Sequence, residues 1–188
     1  MEILTANLRE NNKGKSAKKV RRKGNVPGIL YGKEMRNCMI EIGELELNRE
    51  ILESGEHGII KVNIEGNVHE ALIKEIQREP VTHKFIHIDL EEINGTEKVT
   101  THIPINYIGE GHLTASGAVV QKEKSNIKVT CSPENLPKYI TLDLSDAKVG
   151  SIFKLSDIEM GKEISIVEDL NSIIASVSFD QKVVEVIE

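Results

Sequence analysis

Apolar and polar residues alternate along most of this chain, and a period of two is the mark of a strand with one buried face. Ile60, Val62 and Ile64 alternate, Gly66 and Asn67 supply a tight turn, and Val68 to Ile76 resume the pattern, which predicts a β-hairpin. Val99, Thr101, Ile103, Ile105 and Tyr107 form a further strand, in which Pro104, on the opposite parity, points to an edge position. Ile127, Val129 and Cys131, then Ile140, Leu142 and Leu144, and last Ile173, Ala175, Val177 and Phe179 predict three more strands. Helical spacing is rare. Leu45 and Leu52, joined by Leu47 and Ile51, make a short apolar stripe over Leu45 to Ser54 that Gly55 closes. Ser16 to Lys23 fits a basic turn of helix with Ala17 and Val20 facing inward and Gly24 at its end.

Glu91 to Lys98, EEINGTEK, is polar, has Asn-Gly at its centre and lies between strands, so it divides the chain into domains at 1–92 and 93–188, both mainly β. In the second, LSDAKVG from Leu144 recurs as LSDIEMG from Leu155. A Ser or Asp opening a short helical turn that Gly closes accounts for each copy, and two copies are too few for a solenoid. With no Trp, three Phe and three Tyr, the core must be built from Ile, Val and Leu, which again favours strands. Cys38 and Cys131 are far apart and have no metal-ligand spacing, which fits a reducing cytosol. The start, MEILTANLRE, lacks the apolar stretch of a signal peptide, and no apolar run reaches membrane-spanning length, so the expected location is cytoplasmic, with no membrane partner.

Charge sharpens this picture. Arg9, Lys13, Lys15, Lys18, Lys19, Arg21, Arg22 and Lys23 face only Glu10, so residues 9–23 carry about +7 in a chain of net charge −6. Such a cluster is held against its own repulsion, which points to a polyanion and first of all to nucleic acid. The plainer readings are a solvated basic arm or a targeting stretch. Residues 93–188 hold 9 basic and 14 acidic residues with no basic cluster, so nucleic-acid binding falls to the first domain.

The sharpest local constellation is His83 to Leu90. Read as a strand, it turns Ile86, Ile88 and Leu90 to the core and His83, Phe85, His87 and Asp89 outward. Asp89 can accept from base amino or ribose hydroxyl groups, and His87 can donate a hydrogen bond or offer a stacking surface. Gln77 and Arg78, just upstream, can reach base edges or phosphates. Tyr31, the one aromatic near the basic run, either stacks on a sugar or base or caps the core. Two other classes fit parts of the pattern: a metal-dependent hydrolase using His83, His87 and Asp89, and a protein-interaction module through the acidic second domain. Phosphate-loop, dinucleotide-binding, zinc-protease and serine-hydrolase motifs are all lacking, so no enzyme, cofactor, resident metal or small-molecule substrate is expected.

Arg9, the basic stretch through Arg21, Gly24-Asn25-Val26-Pro27, Tyr31-Gly32, Gln77-Arg78-Glu79-Pro80 and His87-Ile88-Asp89 together resemble the family of bacterial large-subunit ribosomal proteins conventionally numbered twenty-five. Leu136-Pro137-Lys138-Tyr139-Ile140, Leu142 to Leu144 and Gly150 are similar to its longer, two-domain form, the general stress protein CTC type. The resemblance implies an amino-terminal β-barrel with one or two short helices, bound to the loop E region of 5S ribosomal RNA in the central protuberance of the large ribosomal subunit, and a second mainly-β domain. It also implies an RNA-facing surface containing Arg9, Arg21, Tyr31, Gln77, His87 and Asp89, with Lys15, Lys18 and Lys19 meeting phosphates. Lys18 and Lys19 stand where the family has arginines, which replaces bidentate forks by point charges.

Overall fold

In the computed structural model, which describes residues 2–9, 16–33, 37–94, 97–161 and 163–179, the chain divides into two units, Met1–Val99 and Thr100–Glu188. The alternating segments of the first unit close into a barrel of six strands: β1 (Ile3–Leu8), β2 (Asn25–Tyr31), β3 (Cys38–Gly43), β4 (Ile59–Ile64), β5 (Asn67–Arg78) and β6 (Phe85–Glu92). Their order is β1-β3-β2-β6-β5-β4, with β4 returning to β1, so every strand has two neighbours and no edge is left for a foreign strand. The β1/β4 and β2/β6 pairs are parallel and the rest antiparallel. Leu4, Val26, Leu30, Ile40, Ile42, Ile60, Val62, Ile73, Ile88 and Leu90 fill the interior, an aliphatic core as the composition requires.

Helix α1 (Ser16–Arg22) precedes β2 and buries Val20. Helix α2 (Glu44–Ser54) covers the barrel with Leu47 and Ile51, which are four apart and therefore share a face. Leu45 and Leu52, the ends of the expected stripe, are 87% and 78% exposed instead. Both lie on the far side of the helix from Leu47, where the barrel cannot reach them. The hairpin between β4 and β5 turns at Glu65-Gly66, with φ of 50° and 91°, one residue earlier than expected, and the Gly66 N–H donates to Asn63 Oδ1 at 3.0 Å.

In the second unit, β7 (Val99–Ile108), α3 (Gly111–Ala115), β8 (Ala118–Lys122), β9 (Asn126–Cys131), β10 (Ile140–Asp143), β11 (Ile152–Lys154), β12 (Ser165–Ile166) and β13 (Ile173–Phe179) form two sheets, ordered β10-β7-β9-β12 and β11-β13-β8. Ile103, Ile105, Ile127, Val129, Leu142, Leu144, Leu155, Ile174 and Val177 make its core. Pro104 is therefore inside a sheet, not at an edge. The Ile105 N–H donates to Ser125 on one side, so the Pro104 nitrogen faces the other, one residue ahead of the register with β10 that begins at Ile105. In β13 the expected alternation breaks. Phe153 and Lys154 of β11 pair with Ala175 and Ile173, so Ile174 is the extra residue of a bulge in β13 and turns inward, and Ile173 and Phe179 are exposed. The two LSD copies bury Leu144 and Leu155, and at each an aspartate accepts a backbone N–H at 2.8 Å, Ser145 to Oδ1 of Asp143 just before the first copy and Lys154 to Oδ2 of Asp157 within the second.

Gly28 holds the barrel to its diameter at the β2/β6 seam. A Cβ there would lie 2.6 Å from Ile88 Cγ2 and 2.7 Å from the Ile88 carbonyl oxygen. Gly28→Ala should therefore destabilise the barrel by about 1–3 kcal/mol, as overpacking does. Urea unfolding measures this, and wild-type stability in the variant would show that β2 does not approach β6 so closely.

Candidate nucleic-acid interface

Strands β5, β6 and β2 lie side by side, and their register assembles the polar residues of three distant segments. Gln77 stands opposite His87 and Glu75 opposite Asp89 across the β5/β6 pair. Ile29 stands beside Asp89 and Tyr31 beside Glu91 across β2/β6. Ile76, Ile88, Leu30 and Leu90 pack against or within the core, so the alternate residues Gln77, His87, Asp89 and Tyr31 form one outer face. Arg9 joins its far end. Its N–H donates to the Met39 carbonyl at 2.8 Å, and Met39 pairs with Ile29, so Arg9, Met39, Ile29 and Asp89 make one transverse row.

Hydrogen bonds pre-arrange this face. His87 Nδ1 lies 2.6 Å from Asp89 Oδ1, which fixes the imidazole and leaves Nε2 and Asp89 Oδ2 for a ligand. Gln77 Nε2 donates to Glu75 Oε1 at 3.1 Å, which orients the amide, and Lys74 pairs with Glu91 at 2.7 Å. Burial, followed by the charges of Glu91, Asp89 and Glu75, pushes the Tyr31 hydroxyl above its usual pKa and keeps it a donor. Tyr31 is half-buried on this face.

The cations come from α1. Lys18, Lys19, Arg21, Arg22 and Lys23 are exposed, while Val20 anchors the helix. Arg21 Nη1 donates to the Ile86 carbonyl at 3.1 Å and so ties α1 to the start of β6, beside His87. Lys15 lies outside the described residues.

Three expectations change. A register shift between Gln77 and Arg78 sets Arg78 opposite Phe85, and the strand's parity reverses there. Phe85 is buried beneath the Arg78 guanidinium, 4.2 Å from its ring centroid, and Ile86 is only partly buried. His83 is not on the strand at all: it sits in the preceding turn with φ of 56°, away from the His87–Asp89 line. Among the described residues no group of three or more His, Cys, Asp or Glu side chains is placed to hold a metal ion, and the His83/His87/Asp89 hydrolase reading fails on the position of His83. Glu75 and Glu91 also stand on this face, beside Asp89 and Tyr31, and the sequence pattern did not single them out. Extending the period of two from Gln77 and from Asp89 finds both.

Residues 4–90 match the Ribosomal L25p family, and residues 98–181 match the family described as Ribosomal protein TL5, C-terminal domain. A protein of Clostridium perfringens named large ribosomal subunit protein bL25 is 50% identical over 184 residues, covering 98% of this chain and 91% of that protein. The chain belongs to the ribosomal L25p family. Proteins with the same name from Carboxydothermus hydrogenoformans and Bacillus velezensis are 31% and 27% identical, over 98% and 94% of this chain and 93% and 88% of theirs. Membership in this two-domain ribosomal family makes the chain a structural protein and not an enzyme. None of its described helices is long and apolar enough to cross a membrane.

The environment of Tyr31 in this L25p-family barrel has a measurable signature. The tyrosinate absorbance that Tyr31→Phe removes should titrate above the ordinary value of 10.0. Because the folded-state pKa is raised, the stability it contributes is complete below the unfolded value and is lost as pH climbs through the folded one. A component titrating at or below the ordinary value would place Tyr31 away from Glu91 and Asp89.

Proposed function

We propose that this chain binds 5S ribosomal RNA at its loop E region, in the central protuberance of the large subunit of the cytoplasmic ribosome, and that the first unit carries the contact. The observation that supports this best is the assembly of Tyr31, Gln77, His87 and Asp89 on one strand face with the basic helix α1 fastened beside it through Arg21. The relatives' name, large ribosomal subunit protein, supports the choice of ribonucleoprotein.

The division of labour follows from charge. Lys18, Lys19 and Arg22 neutralise phosphates and supply affinity without reading sequence. The strand face reads. Asp89 Oδ2 accepts from a base amino or ribose hydroxyl group, His87 Nε2 and the Gln77 amide take up adjacent edges, and the protonated Tyr31 hydroxyl donates. A face bearing Glu75, Asp89 and Glu91 repels a bare phosphate backbone, so it suits the shallow groove of a distorted, non-canonical RNA helix, where donors are offered to it. The second unit, acidic and without a basic cluster, stays outside this contact.

Two measurements test the reading. A fragment of residues 1–99, with its β-sheet circular dichroism intact, should bind 5S RNA within about tenfold of the full chain, a difference of roughly 1.4 kcal/mol at most. A larger loss would move part of the site to the second unit. Asp89→Asn keeps an acceptor for His87 but replaces the free carboxylate oxygen by a donor, so it should weaken RNA binding by about 1–3 kcal/mol with no change in melting temperature. Undiminished affinity in this variant would take Asp89 out of the interface.

A further inference from the structure

The turn joining β5 to β6, residues 79–84, is held more firmly than its exposure requires. Glu79 organises it from both ends. Its carboxylate accepts from the Val81 N–H at 3.2 Å and from the Thr82 N–H, its own N–H donates to the Lys84 carbonyl at 2.9 Å, and its carbonyl accepts from the His83 N–H at 2.9 Å. Hydrogen bonding from Thr82, side chain first and backbone second, holds the Glu79 carboxyl below its usual range. His83 completes the turn in the left-handed region, which a residue with a Cβ enters only at an energetic cost. The barrel gains no burial in return, because Val81, Thr82, His83 and Lys84 are all exposed, Val81 to 82%.

A rigid, exposed tip with an apolar and a cationic side chain is suited to binding, because little conformational freedom is lost when a partner arrives. Its place in the sheet says which partner. Gln77 and His87 face each other just before the turn, so the tip prolongs the polar face described above, reaching about 7 Å farther for every two residues of strand. At the same end Arg21 ties α1 to the Ile86 carbonyl. The polar face is thus bordered by two cation-bearing projections, α1 leading into β2 and the turn leading out of β5.

We infer that the 79–84 turn is a second RNA-contacting arm, in which Lys84 meets a phosphate, Val81 packs on the C–H groups of the adjoining ribose, and Glu79 is the residue that positions both. The inference rests on the RNA-binding reading of the strand face and extends it to a segment outside the barrel wall. It accounts for a left-handed residue in a turn that buries nothing and for an exposed valine on a fixed loop. Phosphate and ribose are the parts of RNA that such a tip can reach beyond a face already occupied with base edges.

The test uses the full chain and 5S RNA in gel shifts at several salt concentrations. Lys84→Ala should reduce the slope of log affinity against log salt by roughly 0.7–0.9. Val81→Asp, which sets a carboxylate against phosphate, should weaken binding by about tenfold or more. Both side chains are exposed, so the melting temperature should not move. In Glu79→Ala the tip is unlocked, and the further effect of Val81→Asp should shrink, a non-additivity that a purely structural role for Glu79 does not produce. Wild-type affinity and salt slope in Lys84→Ala and Val81→Asp would overturn the arm while leaving the strand-face reading intact. Failure of the wild-type chain itself to bind 5S RNA would overturn both.

Discussion

The parallel pairing of β2 with β6, permitted because Gly28 has no side chain to hold the two strands apart, joins the two halves of the polar face. It brings Ile29 beside Asp89 and Tyr31 beside Glu91, although these residues are some sixty positions apart in sequence. A slip of one residue at this seam would exchange the two faces of β6 and send His87 and Asp89 toward the core. Closure of the barrel makes such a slip costly, because β6 also pairs with β5 and the register must satisfy both neighbours at once. The basic helix depends on the same seam: Arg21 grips a backbone carbonyl of β6, so α1 is placed by the strand it serves.

Charge is sorted with equal care. The strand face gathers Glu75, Asp89 and Glu91, whose charges add to burial in raising the Tyr31 pKa, while α1 and the residue after it carry the exposed Lys18, Lys19, Arg21, Arg22 and Lys23. In the RNA-binding reading this sorting separates affinity from selectivity. Cations on a projecting helix attract any polyanion, and carboxylates on a rigid sheet reject one that does not present donors to them. Pairing of His87 with Asp89 and of Gln77 with Glu75 spends part of the acceptor capacity inside the protein and leaves the remaining atoms in fixed positions. Such pre-arrangement is worth more on strands than on loops, since strand positions are held by hydrogen bonds on both sides.

Much of this was legible in the chain itself. The alternation at Ile60–Ile64, Val99–Ile105, Ile127–Cys131 and Ile140–Leu144 predicts strands that the structure contains, and the basic run, Tyr31, Gln77, His87 and Asp89 stand out by residue type and resemblance. Less was legible where a neighbour decides. The stripe of α2 could have been drawn through Leu45 and Leu52 or through Leu47 and Ile51, and only the barrel beneath selects the second pair. Phe85 and Ile86 exchange faces because β5 and β6 fall out of step at Gln77, and Ile174 turns inward because β13 bulges there, against Phe153 and Lys154 of β11. His83 leaves the strand pattern because Glu79 captures the turn.

The sequence by itself thus determined the β class of the chain, its aliphatic core and the clustering of its basic residues, because each depends on local periodicity, on composition and on what water will accept. Which residues meet was decided by the tertiary structure. Strand order, register and bulges are settled between segments far apart in the chain, by the requirement that a closed sheet pair every backbone group. No local pattern carries that information, and it is this requirement that brings Tyr31, Gln77, His87 and Asp89 onto one face.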